Sequence, residues 1–133
     1  MTRFAIDPQT LLHLAEIGYE LDPTDQLVAP NAIRPAAMEL LLRKVRKGEI
    51  TESRALEIHE FITALKIRAL GDRVSRRVAW DLAREHDWES TMLAQYLSVA
   101  KLQADVLVAL DPELMAIAAG IVPLAPVSAL LPR

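Results

Sequence analysis

This sequence predicts an α/β layered fold, on the strength of two short segments and the pattern between them. Phe4-Ala5-Ile6-Asp7-Pro8 and Val106-Leu107-Val108-Ala109-Leu110-Asp111-Pro112 each begin as a continuous apolar run and end in Asp-Pro. An apolar run of this length reads as a strand buried on both faces, as in parallel sheets. Asp followed by Pro reads as a helix start, with the carboxylate as N-cap and the proline at the first helical position. Between these segments, extended stretches are separated by helical ones, the order of an α/β chain. Each strand therefore delivers a carboxylate to its C-terminal end, the rim where open parallel sheets bind ligands.

The elements follow in order. Residues 3–6 form the first strand. A helix then runs from Pro8 to Ile17, with Leu11, Leu12, Leu14 and Ala15 as its apolar face, and ends at Gly18 and the turn Asp22-Pro23-Thr24-Asp25. Gln26 to Ala29 reads as a short strand closed by Pro30. The next helix ends at Lys47 before Gly48. It starts either at Asn31 as cap, with a distorted opening turn around Pro35, or at Pro35 as its first residue.

Thr51 caps a third helix, whose Ala55, Ile58, Ile62 and Leu65 keep one face apolar. Ile67 to Leu70 reads as a short extended piece before Gly71-Asp72. A helix over 73–85 aligns Val74, Val78 and Leu82. Ser90 or Thr91 caps another, to Gln103, with Leu93, Tyr96, Leu97 and Ala100 clustered. The strand at 106–110, a helix at 112–119 and a strand at 121–124 complete the chain.

At 133 residues, with 52% apolar and 25% charged residues, the chain suits one globular domain spanning 1–133. The uncharged stretch Leu114–Pro132 is interrupted by Gly120, Pro123 and Pro126, which argues against a membrane helix. The lack of cysteine and of a signal-peptide pattern accords with a cytoplasmic location. The net charge of -3 is unevenly spread: Arg34 to Arg77 hold eleven Lys/Arg against six Asp/Glu, and the remainder four against twelve. Such asymmetry reads either as a nucleic-acid-facing side or as ordinary solvated helix surface.

The chain resembles the PIN-domain proteins, the family of VapC-type toxin ribonucleases. The resemblance covers nearly all of it. It rests on the opening strand ending in Asp7, on Leu27-Val28-Ala29-Pro30 running into Leu40-Leu41-Leu42-Arg43, and on the corner Leu70-Gly71-Asp72-Arg73-Val74. It also rests on Ala94-Gln95-Tyr96-Leu97 through Leu102-Gln103-Ala104-Asp105 to Leu110-Asp111. The fold it implies is a three-layer α/β/α arrangement around a mostly parallel sheet of four to five short strands. The activity it implies is RNA hydrolysis with Mg²⁺ or Mn²⁺ held by three or four carboxylates. Antitoxin partners and homodimers are common in the family.

Asp7 and Asp111 match the family's first and last acids. Its second and third acids correspond to Ala36 and Leu93, and Gln95 replaces an acid frequent in close relatives. Two carboxylates position a hexacoordinate ion poorly. Losing ~3–4 kcal/mol of transition-state stabilisation slows a reaction a few hundredfold or more. Glu39, one turn beyond Ala36, is a candidate substitute. Glu113 and Asp105 are weaker ones, read as a first-turn acid and a strand-entrance cap. Asp7 and Asp111 are also explained as N-caps alone, and one carboxylate can be both cap and ligand.

Arg43, Lys47, Arg73, Arg76 and Arg77 are candidate phosphate contacts. Trp80 and Trp88, at helical positions, are expected in the core, with base stacking as the alternative. His13, His59 and His86 have no paired-ligand spacing, and Ser90-Thr91 reads as a cap rather than a nucleophile. The resemblance thus implies an impaired domain of toxin–antitoxin type that binds RNA or a protein partner. Its alternatives are a Mg²⁺/Mn²⁺-dependent ribonuclease using Asp7, Asp111 and Glu39, and an oligomerising or antitoxin-binding module without a nucleic-acid role.

Overall fold

The computed structural model describes residues 1–132. Its apolar runs form four parallel strands: β1 (Thr2–Ile6), β2 (Asp25–Pro30), β3 (Arg68–Leu70) and β4 (Val106–Val108). Phe4 to Ile6 and Leu27 to Pro30 are buried at consecutive positions, so both faces of the sheet are covered. Strand order is β3-β2-β1-β4. The chain steps one way from β1 to β2 to β3 and then crosses back to β4 on the other side of β1.

Right-handed crossovers place the connecting helices on opposite faces according to the direction of each step. The first set is α1 (Pro8–Glu16), α2 (Ile33–Arg46) and α3 (Glu52–Ala64), which pack on one another. The second is α4 (Arg73–Glu85) and α5 (Met92–Gln103), with α5 against β1, β2 and β4 and α4 outside it. The result is a three-layer α/β/α fold, completed by α6 (Pro112–Ala118) and a 3-10 turn at Val127–Leu130. Leu11, Leu14, Leu27, Leu97, Leu107 and Leu114 are fully buried. Each such side chain contributes about 1.5–3 kcal/mol by leaving water.

Most helix starts carry the caps that the sequence announces. Thr10 N donates to Asp7 Oδ1 at 2.9 Å, Arg54 N to Thr51 Oγ1 at 3.1 Å, and Glu113 N to Asp111 Oδ1 at 3.0 Å. Helix α2 departs from both expected starts. It opens at Ile33, with no side-chain cap, and Pro35 is its third residue. The first intrahelical bond, Ala36 N to Ala32 O at 2.9 Å, lies just beyond the proline. An N–H at that position would have had no intrahelical partner, so the proline removes nothing and the turn is undistorted. The helix ends with Gly48 at φ 75°, a left-handed position that favours glycine.

Three further expectations need correction. The strand expected at 121–124 is only a single parallel bridge between Leu107 and Leu124, because Pro123 and Pro126 bracket it and cannot donate to a ladder. Strand β4 stops at Val108, two residues early. Of the aligned Val74, Val78 and Leu82 on helix α4, Leu82 is buried and Val78 packs half-buried against the core, but Val74 is exposed. The helix turns Ser75, Ala79, Leu82 and Ala83 inward, and Ala79 and Ala83 pack on Ala94 of α5. Small residues bring the two helices close, and the Ser98 hydroxyl donates to the Ser75 carbonyl at 2.5 Å across the contact. That rotation leaves Trp80 58% exposed instead of in the core, while Trp88 packs against the core and stacks on His86.

Candidate functional site

The reversal of strand order falls between β1 and β4, and the crevice beyond the carboxyl ends of such a pair is where open α/β sheets bind ligands. Asp7 follows β1 and Asp111 lies just beyond β4, so both predicted aspartates stand at this point. They are joined directly. Asp7 Oδ2 accepts the backbone N–H of Asp111 at 2.9 Å and that of Leu110 at 3.2 Å. Asp7 Oδ1 accepts from Thr10 N at 2.9 Å and from the Thr10 hydroxyl at 2.5 Å. Thr10 Oγ1 also lies 3.0 Å from the Val108 carbonyl, so its single proton bridges β4 and the carboxylate.

Asp7 is therefore a buried acceptor hub, only 1% exposed, with both oxygens taken by protein donors. It fastens β1, α1 and the β4–α6 turn to one another. Asp111 is half-buried, and its Oδ1 caps α6.

Over this hub lies a cleft of about 290 Å³, whose walls include Ala36, Glu39, Arg43, Leu93, Tyr96 and Asp111. The structure thus brings together positions from α2, α5 and the end of β4 that the sequence only ordered along the chain. Ala36 and Leu93 face the same space as Asp111, and Glu39 borders it from an exposed position. Asp7 lies beneath, outside the lining.

The oxygen-bearing side chains on the cleft wall are Gln9, Glu39, Tyr96 and Asp111, and the Tyr96 hydroxyl itself is buried. Two carboxylates, one already capping a helix, do not supply the near-octahedral oxygen set that Mg²⁺ requires. No group of three or more acidic or imidazole side chains is placed to hold a metal among the described residues. The side chains present do not fit a tightly bound ion.

Nothing in the sequence pattern marks Tyr96 as a functional group. Its ring is buried and its hydroxyl has no hydrogen-bond partner in the protein. Burial first, and the charge of Asp7 second, push its pKa well above the ordinary tyrosine value. The hydroxyl stays protonated and enclosed behind the cleft wall. Only the helical alignment of Tyr96 with Leu93 is visible in the sequence.

A second depression of about 420 Å³ adjoins the first, sharing Gln9, Leu40 and Arg43, and adds His13, Lys44 and Lys47 to its walls. Glu16 and Glu49 also line it, and Lys44 pairs with Glu16 at 3.6 Å. The five predicted phosphate contacts consequently separate into two groups. Arg43 and Lys47 flank the cleft, whereas Arg73, Arg76 and Arg77 project from α4. Arg76 is tied to the Gly71 carbonyl at 2.5 Å and Arg77 to Asp81 at 3.0 Å.

The remaining candidates have local roles. Asp105 accepts from Arg3 N at 2.8 Å and its own N–H returns to the Arg3 carbonyl, clasping β1 to the start of β4. Glu113 is an exposed first-turn residue of α6. Ser90 accepts from Met92 N at 3.1 Å, and Thr91 makes no side-chain cap.

No family model matches this chain, and no curated protein matches it. Among solved structures it is similar to the crystal structure of PAE2754 from Pyrobaculum aerophilum, at a TM-score of 0.70 and 21% identity. The match covers 97% of this chain and 93% of that one. The fold is shared. At that identity the likeness extends no further. No helix among the described residues is long and apolar enough to cross a membrane.

Proposed function

We propose that this chain is a PIN-like domain of toxin–antitoxin type in which the nuclease site has lost its metal-holding capacity while keeping its shape, so that it binds RNA or a partner rather than cutting efficiently. The observation that supports this most is the shared cleft. Ala36 and Leu93, the two positions where the resemblance expects carboxylates, line it together with Asp111. Residues far apart in the chain meet there, at the switch point of the sheet.

Within this reading the residues have distinct tasks. Asp7 positions the rim and is not free to ligate. Arg43 and Lys47 meet phosphates at the mouth as point charges. Tyr96 contributes to the cleft wall while its hydroxyl stays buried. Leu93 and Ala36 relieve the repulsion that four clustered carboxylates would suffer without a metal.

Restoration tests the proposal. Ala36→Glu combined with Leu93→Asp is expected to bind Mn²⁺ where the parent does not, and to gain Mn²⁺-dependent cleavage of single-stranded RNA. A folded double variant with neither property would defeat the reading.

A second reading is favoured by Glu39 on the cleft wall: a slow Mg²⁺/Mn²⁺-dependent ribonuclease using Asp111 and Glu39. It predicts EDTA-sensitive cleavage by the parent that disappears in Asp111→Asn and Glu39→Gln. A stable dimer or partner complex indifferent to EDTA, without RNA affinity, would instead favour the antitoxin-binding or oligomerising module.

A further inference from the structure

Helix α4 carries a surface that the cleft does not use. Arg73, Arg77, Trp80 and Arg84 are all exposed. At 3.6 residues per turn these positions fall within an arc of roughly 60°, forming one stripe about 16 Å long. Trp80 lies in the middle of it, 58% exposed. A tryptophan is among the least economical side chains to leave in water, because its ring has a large apolar area. Here the small-residue contact of Ala79 and Ala83 with Ala94 fixes the rotation of the helix and holds the indole outward.

Guanidinium groups outnumber carboxylates around the indole, Arg73, Arg76, Arg77 and Arg84 against Asp81 and Glu85. Arg73 and Arg84 have no ion-pair partner among the described residues, and Arg77 makes only an exposed pair with Asp81. Arg76 borders the stripe. Beside it, Arg73, Val74, Arg77 and Val78 line a shallow depression of about 490 Å³ that shares no residue with the cleft wall. An exposed aromatic plane with guanidinium groups before and after it matches a polymer that alternates anionic groups with flat rings. Duplexes conceal their base faces; single strands offer them.

We infer that the outer face of α4 is a binding surface for single-stranded nucleic acid, with Trp80 stacking on a base and Arg73, Arg77 and Arg84 meeting phosphates. It lies apart from the strand-end cleft and stands whether or not that cleft descends from a nuclease. Stacking and phosphate pairing favour no particular base, so recognition is sequence-tolerant.

The test uses the whole protein with 15-nucleotide oligo(U) and oligo(dT) strands and a 15-base-pair duplex. Single strands are expected to quench the Trp80 fluorescence. The affinity should fall with salt at a log–log slope of about −2, from three neutralised phosphates at ~0.7 each. Arg73→Gln with Arg84→Gln should remove about two thirds of that slope. Trp80→Ala should weaken binding roughly 5- to 150-fold. Trp80→Phe keeps a stacking plane and should retain most of the affinity while abolishing the quench. Arg43→Ala with Lys47→Ala lowers whatever binding the strand-end cleft region adds, whereas the Trp80 quench and its salt slope should persist.

The proposal is overturned if single strands neither bind nor quench at low salt, or if the duplex binds equally well. It also fails if binding follows the cleft variants instead of the α4 variants, or if Trp80 is already covered by self-association. Comparing oligo(U) with oligo(dT) separates a ribose-reading surface from one that accepts either backbone; both outcomes support the assignment, and the first narrows it to RNA.

Discussion

The carboxylate of Asp7 accepts the backbone N–H of Asp111 at 2.9 Å, so two residues 104 positions apart are joined through a single oxygen. The same carboxylate accepts from Leu110, Thr10 N and the Thr10 hydroxyl. Asp7 and Asp111 look alike in sequence, each an Asp before a Pro. Their energetic roles differ.

Asp7→Ala would strand several buried donors at once. Each unsatisfied group costs ~1–3 kcal/mol, which puts the loss at about 3–5 kcal/mol overall. Asp111→Ala removes only a helix cap, worth ~1 kcal/mol. Urea unfolding of the two variants side by side should show the larger shift in midpoint for Asp7, with similar slopes. Equal effects would refute the hub. For the same reason, activity tests of the cleft belong on Asp111 and Glu39, since Asp7 variants confound chemistry with folding.

Tyr96 gives an alkaline prediction. Its hydroxyl is buried without a partner, and its raised pKa means that the folded protein favours the protonated form. The associated stability is complete below the ordinary tyrosine pKa and is lost as pH rises past it. Tyr19 is also buried with an unpartnered hydroxyl and a raised pKa, so absorbance at 295 nm should show both tyrosines ionising above the ordinary range, Tyr96 only as the chain unfolds. Tyr96→Phe removes the orphaned group and should be neutral or stabilising by up to ~1 kcal/mol. A clear loss of stability would reveal an unrecognised partner for the hydroxyl.

At low pH the informative residue is Asp72. It caps α4 by accepting from the Ser75 hydroxyl and from Ser75 N, and these bonds, with Arg76 nearby, hold its pKa below the usual carboxylate value. A depressed folded-state pKa contributes stability that is present above the unfolded value and lost as pH falls through the folded one. Asp72→Ala should thus melt at a lower temperature than the parent near pH 7. The gap should close once the medium is acid enough to protonate Asp72 in the folded chain. A gap that persisted unchanged would mean that the carboxylate's charge is irrelevant to the cap.

The double variant Ala36→Glu, Leu93→Asp carries a thermodynamic signature independent of catalysis. Two added carboxylates beside Asp111 and above Asp7 repel one another, so the metal-free variant should melt below the parent. Mn²⁺ at a hundred times its dissociation constant should restore about 2.7 kcal/mol. The parent's melting temperature should not respond to Mn²⁺. A matching response in the parent would mean that Asp111 and Glu39 already hold the ion.

The parts of this molecule legible in its sequence are those fixed locally. Asp-Pro after an apolar run defines both a strand end and a helix start, and these choices placed Asp7 and Asp111 at one rim. Ala36 and Leu93 were found by their spacing from the resemblance's motifs, and the structure sets both on the cleft wall. The errors arose where tertiary contact overrides pattern. Val74 shares the helical spacing of Val78 and Leu82 yet is exposed, because Ala79 and Ala83 take the interface, where small residues allow α5 to approach more closely. Trp80 was drawn outward with that rotation. The α2 start was ambiguous because a proline is tolerated anywhere in the first turn. Thr10 and the Tyr96 hydroxyl gave no signal, since their significance depends on β4 and Asp7 lying overhead.

The bond between Asp7 and the 110–111 backbone also governs how the protein is made. A ribosome releases β1 and α1 before β4, so Thr10 can serve Asp7 Oδ1 early, but the Leu110 and Asp111 donors to Oδ2 arrive only after more than a hundred further residues have been synthesised. Until then the first strand has a charged end that cannot be buried without cost, and its β4 neighbour in the sheet does not yet exist. Completion of the fold is accordingly a late, non-local event, closing a loop between residues 104 positions apart. Nascent chains cut short before Val106 should remain open and protease-sensitive, however well their individual helices form.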